Sequence, residues 1–331
     1  MTGFCDDLGG TRKWANWSMV FGRPIALPCA PKMADLSAPR PNSATASAPM
    51  AAPVIKPKPG AIIYVSLACP WAHRTLIFRV LKGLEQAISI SVVAPLMAEK
   101  GWVFGESEGC SADPLFSARY LYEIYTQAQT EYSGRVTVPV LWDRQRGAIV
   151  NNESAEIIRM MNSEFIGIAK ESPDYCPDDL LGEIDEINER VFTDINNGVY
   201  RNGFATTQEA YEEAFEQLFA ALDWAEDKLG KRRYLCGERL TEADWRLFVT
   251  LLRFDCVYVG HFKCNLRRIA DYPCLSYYLR ELYQIPGIAQ TCNFRHIKEH
   301  YYRSHESINP TRIVPSGPEM NLHQAHDRDR F

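Results

Sequence analysis

The 331-residue chain contains no Cys-x-x-Cys pair, and its ten cysteines (5, 29, 69, 110, 176, 236, 256, 264, 274 and 292) follow no framework spacing. The first absence excludes a local dithiol redox site. The second excludes a disulfide-stapled scaffold and suits a reducing compartment in which most thiols are simply buried. No apolar run approaches the roughly 20 residues of a membrane span, and the apolar core of a secretory signal is missing. A basic surplus is lacking too: net charge is −5 and the pI near 5.9, which argues against nucleic acid as a partner. There is no internal repeat. What remains is ordinary globular composition, 46% apolar and 23% charged, in a chain long enough for two domains with full cores.

The chain is organised around Ser66-Leu67-Ala68-Cys69-Pro70-Trp71-Ala72-His73-Arg74. Ala61-Ile62-Ile63-Tyr64-Val65 before it is a short β-branched run of the kind that makes a buried strand. After it, Leu76, Ile77, Val80, Leu81 and Leu84 recur at helical spacing, with Pro70 where a first helical residue stands. Cys69 therefore falls at the N-cap of a helix that follows a strand. The amides from Trp71 onward and the helix dipole are expected to lower its pKa and favour a thiolate. The bland alternative is a small apolar residue packed in a turn. Because the fourth position is Ala72, any mixed disulfide on Cys69 must be resolved by a thiol from elsewhere, and glutathione is the obvious small candidate.

Residues 1–60 read as a disordered leader, rich in Ala, Pro and Ser and unable to bury enough apolar surface to offset ordering entropy. Up to Pro59 it has seven basic residues and three acids. That balance suits an organelle transit peptide, although Asp6 and Asp7 point instead to a cytoplasmic protein.

From 61 to 168 the order is βαβ and then ββα, a thioredoxin-like layout. The second strand is expected at Ala87–Val93, and the long segment 94–133 is read as an insertion near the site. Arg135–Trp142 reads as a strand broken by Pro139, with a cis Val138–Pro139 bond. A short strand at Ala148–Val150 follows. Ser154 opens the next helix, either as an N-cap or as a carboxylate-binding position, and Glu153 beside it could hold an ammonium group.

From Asp178 to about 318 only helical periodicity remains. Ile184, Ile187, Val191 and Ile195 mark one helix, and Tyr211 to Leu229 a longer one. Thr241 and Asp244 form a capping box, with Leu240 and Trp245 as its hydrophobic staple. This is an all-helical bundle, and 319–331 form a tail. Cys292, His296 and His300 share a helical face but have no fourth ligand nearby, so no metal is expected. His300-Tyr301-Tyr302 could bring imidazole and phenol groups to a cleft, or could be core rings.

Several long stretches resemble one family. They are Ala68–Thr75, Arg135–Asp143, Ile149–Ser154, Asn196–Tyr200, Thr241–Phe248, Arg253-Phe254-Asp255, Gly260–Asn265, His300-Tyr301-Tyr302 and Ile308-Asn309-Pro310. Over about 61–318 the chain is similar to the glutathionyl-hydroquinone reductases, the Xi class of glutathione transferases. It departs from them over the first sixty residues, where the family carries a structured arm. The resemblance implies the glutathione transferase architecture, an α/β thioredoxin-like domain followed by an all-α bundle. It implies Cys69 as nucleophile. Glutathione would be held by Trp102, Arg135, Val138, Glu153 and Ser154, with Tyr200 and Tyr301 facing the aromatic substrate. Glutathione would be a co-substrate, with no tightly bound cofactor. A homodimer joined through the helical domains near Arg253–Asn265 is also implied. The competing readings are an omega-type thioltransferase or dehydroascorbate reductase, and a non-catalytic ligand carrier on the same fold.

Overall fold

The computed structural model describes residues 60–105, 108–165 and 167–331. The leader expected over 1–60 therefore lies, but for Gly60, outside the described residues.

Four strands form one sheet in the order β2-β1-β3-β4. β1 (Ala61–Val65) pairs in parallel with β2 (Ile88–Val92), with Ala61 opposite Ile88. The parallel pair needs a crossover, and helix α1 (Pro70–Leu81) supplies it. β3 (Val140–Asp143) runs antiparallel to β1, and β4 (Ala148–Asn151) antiparallel to β3. Ile62, Ile63, Tyr64 and Val65 are wholly buried, as expected of a central strand covered on both faces. Helix α2 (Leu121–Ala128) lies within the segment 94–133, and α3 (Ser154–Ser163) follows β4. The thioredoxin-like expectation holds. The third strand is shorter than its sequence suggests: pairing starts only at Val140, after Pro139, which has no N–H for a ladder, and the Val138–Pro139 bond is cis.

The second half is helical: α4 (Leu181–Arg190), α5 (Gly198–Gly203), α6 (Gln208–Leu229), α7 (Glu242–Arg253), α8 (Pro273–Gln284) and α9 (Phe294–Ser304). Two π-helical turns, Val191–Asn196 and Phe254–Tyr258, extend α4 and α7. The capping box opens α7 as expected. Asp244 accepts from the Thr241 amide at 2.8 Å and its hydroxyl at 3.0 Å, and also from Leu235 N–H and the Tyr278 hydroxyl. The segment expected as a tail is held down: Arg328 is fully buried and donates to the carbonyls of Leu229 and Arg232.

The halves meet where α1 lies against both α3 and α7. Glu242, fully buried, accepts from Arg159 of α3, Asn188 of α4 and Arg246 of its own helix. A buried carboxylate with three donors is satisfied rather than stranded. The segment expected at a dimer contact turns mostly inward. Arg253, Phe254, Cys256, Val257 and Tyr258 are all buried in this chain's own interior. Within that segment only Gly260, Lys263 and Asn265 are exposed.

Candidate active site

The β1–α1 turn puts Cys69 at the N-cap of α1 in extended backbone, with Pro70 first in the helix. Its sulfur looks into a cavity of about 420 Å³ between the two halves. The thiol donates to the Val138 carbonyl at 3.7 Å, so the residue before the cis proline faces Cys69 from the opposite wall. The expected lowering of the Cys69 pKa is not met. Burial pushes the thiol up, against the amide of Ala72, the Arg253 guanidinium, the amide of Trp71 and Arg74, which all push it down. A cavity floor this enclosed disfavours charge more than a helix N-terminus favours it. The thiol's bond to Val138 works in the same direction, since it holds the neutral form.

On the sheet side, Trp102, Arg135, Val138, Glu153 and Ser154 all line the cavity. Trp102 stacks on His300 of α9 at 5.0 Å between ring centres, so the 94–133 segment does reach the site. The start of α3 differs from expectation. Glu153, not Ser154, is the N-cap, accepting from the Ala155 amide at 3.0 Å. Ser154 is the first helical residue, and its hydroxyl accepts two bonds from the buried Arg74, at 2.9 and 2.7 Å. Arg74 also lies 3.7 Å from the Glu153 carboxylate. Together these groups place donors and a carboxylate beside one another, the complement of a molecule carrying both a carboxylate and an ammonium group.

On the helical side, Tyr200 of α5 and Tyr301 of α9 also line the cavity, and their hydroxyls are 2.5 Å apart. Behind them stands Tyr258, fully buried, whose hydroxyl is 3.0 Å from that of Tyr301. Burial raises the pKa of all three phenols, so each holds its proton at neutral pH. Phe192 and Trp71, 5.9 Å apart, form an apolar lip at the cavity's edge.

Cys292, expected on one helical face with His296 and His300, instead lies before Asn293, the N-cap of α9, and the three are drawn to different partners. Cys292 lies by His73, His296 by the Glu108 carbonyl and His300 by the Pro95 carbonyl. Tyr302 bonds the Cys256 carbonyl and is not part of the cavity wall.

Comparison with known proteins agrees with this geometry. The family model described as glutathione S-transferase, N-terminal domain matches residues 68–164, and the one described as glutathione S-transferase, C-terminal domain matches 208–281. Glutathionyl-hydroquinone reductase YqjG of Escherichia coli is 56% identical over 268 residues, 81% of this chain and 82% of that one. The chain belongs to the Xi class of glutathione transferases. The glutathione-bound structure of YqjG superposes with a TM-score of 0.82, covering 84% of this chain and 91% of that one. The Xi transferase of Phanerochaete chrysosporium, 51% identical, gives 0.79 over 82% and 94%.

Three residues of this transferase's site carry no role in the sequence reading: Arg74, Arg253 and Tyr258. Each stands in or beside a stretch that carries the family resemblance. None has a spacing that announces its contact, because their partners lie 80, 185 and 43 residues away.

Proposed function

We propose that the protein reduces glutathionyl-hydroquinones to hydroquinones at the expense of glutathione, with Cys69 as nucleophile. The observation that carries this reading is the two-sided cavity. One thiol lies between a wall suited to glutathione (Trp102, Arg135, Val138, Glu153, Ser154) and a wall of phenols suited to a quinol (Tyr200, Tyr301). Glutathione is then held by the 61–168 domain and the quinol by the 178–318 domain. Among relatives, the curated names glutathionyl-hydroquinone reductase YqjG and PcpF, each 56% identical, support it.

In the first step the Cys69 thiolate attacks the glutathionyl sulfur. A Cys69–glutathione disulfide forms, the carbon–sulfur bond breaks, and its electron pair leaves with the ring as an enolate-like anion. Hydrogen bonds from Tyr200 and Tyr301 to the ring oxygens stabilise that anion, which takes up one proton to become the hydroquinone. In the second step a glutathione thiolate attacks the mixed disulfide, giving oxidised glutathione and free Cys69. Ala72 leaves no thiol one helical turn away to compete.

A second reading, a thioltransferase, is favoured by the name of a fission-yeast relative, glutathione S-transferase omega-like 2, 48% identical. Incubation with glutathionyl-menadione and glutathione separates the two. Menadiol release that disappears in Cys69→Ser supports the reductase; disulfide reduction without menadiol release supports the thioltransferase. We further propose a homodimer through the helical domain, for which Gly260, Lys263 and Asn265 are the exposed positions of the expected Arg253–Asn265 segment. The proposed location is cytoplasmic, with organelle import as the alternative. No helix among the described residues is long and apolar enough to cross a membrane.

A further inference from the structure

Arg253 is buried beside the site in a way that ordinary stability does not explain. Its side chain is fully buried, and a guanidinium stays protonated in a protein. Buried cations are normally paired with carboxylates, because an uncompensated one is costly. Among the described residues Arg253 forms no ion pair. Its donors go instead to carbonyls: Nε to Ala68 O at 2.9 Å, Nη2 to Leu67 O at 3.4 Å and Nη1 to Val249 O at 2.8 Å. Nη1 also meets His73 Nδ1 at 3.2 Å. The donation to Nδ1 leaves the His73 proton on Nε2, which then donates to Thr291 at 2.8 Å. Position at the end of α7 supplies some negative potential from the helix carbonyls, as the Val249 bond indicates. It supplies no full countercharge.

Two of the carbonyls Arg253 holds belong to the residues immediately before Cys69. The guanidinium therefore reaches from the helical domain into the turn that carries the nucleophile. The anion missing from its surroundings is the one the reaction creates. We propose that Arg253 is a positioning residue that fixes the Cys69 turn and serves as the countercharge of the Cys69 thiolate. The inference rests on the reading of Cys69 as nucleophile.

Other charges near the sulfur are already committed. From α1, Arg74 is engaged by Ser154 and Glu153, and His73 is held neutral by burial and by Arg253 itself. Glu153 at α3 is on the cavity wall, and so is Arg135. From α5 and α9, Tyr200, Tyr301 and His300 are kept uncharged by burial. Arg253, unlike Arg74, thus has no carboxylate partner among the described residues. Its field also bears on Tyr200, Tyr258 and Tyr301 in the direction that favours their anions.

The test is the pH dependence of Cys69 alkylation by iodoacetamide, followed by peptide mass spectrometry so that the other cysteines do not intrude. Arg253→Met removes the charge, and Arg253→Lys keeps it while losing the fork that grips two carbonyls. The expected result is a midpoint for Arg253→Met displaced upward by at least one pH unit, hence roughly tenfold slower alkylation near neutrality. The Arg253→Lys midpoint should stay near that of the wild type while turnover falls. Unchanged midpoints in both variants overturn the proposal, and so do equal displacements, which indicate a disturbed turn rather than a lost charge. Menadiol release by the wild type is measured alongside. If it is absent while the alkylation midpoints separate as expected, the reductase reading fails and the role of Arg253 stands.

Discussion

The three phenols of the helical wall differ in what their hydroxyls can reach. Tyr200 and Tyr301 touch the cavity, whereas Tyr258 is enclosed and its hydroxyl meets, among the described residues, no group outside the cluster. Its proton therefore points toward Tyr301. That leaves three protons for two internal bonds, and the spare one belongs to Tyr200 or Tyr301, at the cavity face. Tyr200→Phe and Tyr301→Phe should each lower turnover of glutathionyl-menadione by roughly 10–1000-fold, as when a hydrogen bond to developing charge is lost. Tyr258→Phe should cost less, about tenfold, because it removes only the bond accepted from behind. Reduction of hydroxyethyl disulfide, whose thiolate leaving group makes no demand on a phenol, should be nearly unchanged in all three. Parallel losses on both substrates would indicate packing damage. Cys69 was legible from the strand, Pro70 and helix around it, whereas Tyr200 and Tyr301 were singled out only through the resemblance to the family, their local sequence fitting core rings equally well. Tyr258 was not, since a tyrosine in a π-helical turn gives no periodic cue to the direction it faces.

The elements were legible in proportion to how local their signals are. The capping box at Thr241 and Asp244 is written in four consecutive residues and appears as expected. The start of α3 is displaced by one residue, because Glu153 can reach the Ala155 amide and Ser154 is taken by Arg74, a partner 80 residues away. The sequence does not announce the π turn at Val191–Asn196, since the single apolar step across it, Val191 to Ile195, fits an α-helical turn as well as a wider one. The α7 cap also allows a comparison of magnitudes. Thr241→Ala removes one capping hydroxyl and should destabilise by about 1 kcal/mol. Asp244→Ala strips acceptors from Leu235 N–H, the Thr241 amide and the Tyr278 hydroxyl, all buried. At about 1–3 kcal/mol for each orphaned group, it should cost several times as much. Urea unfolding of the two variants measures the ratio; similar losses would mean that Asp244 is not the hub of that cap.

At the scale of the whole molecule, the buried histidines make stability depend on pH. His261 and His300 are pushed down to about 4, in each case chiefly by burial. Their ordinary value is about 6.5. The native state holds them neutral, so the unfolded chain binds more protons between those limits. Their contribution is complete above about pH 6.5 and is lost as pH falls toward 4. The slope is about 1.4 kcal/mol per pH unit for each histidine. Urea midpoints should therefore drop between pH 7 and pH 5, and His261→Asn should flatten the dependence. A wild-type midpoint constant over that range would contradict neutral burial. This coupling was beyond sequence reading, because it arises only where α9 packs against the end of α7 and the 94–133 segment.

The same long-range packing has a consequence for the order in which the protein is made. The sheet domain, with Cys69 on its first turn, is complete in sequence by about residue 165. The guanidinium that grips that turn belongs to residue 253, and the hydroxyl that orients His73 to residue 291. A ribosome must therefore add most of the helical domain before either arrives. Until then Cys69 stands without the guanidinium that grips its turn, and of the three phenols only Tyr200 has been made. The surroundings of Cys69 are thus assembled late, and a chain broken off midway would lack both partners of that turn.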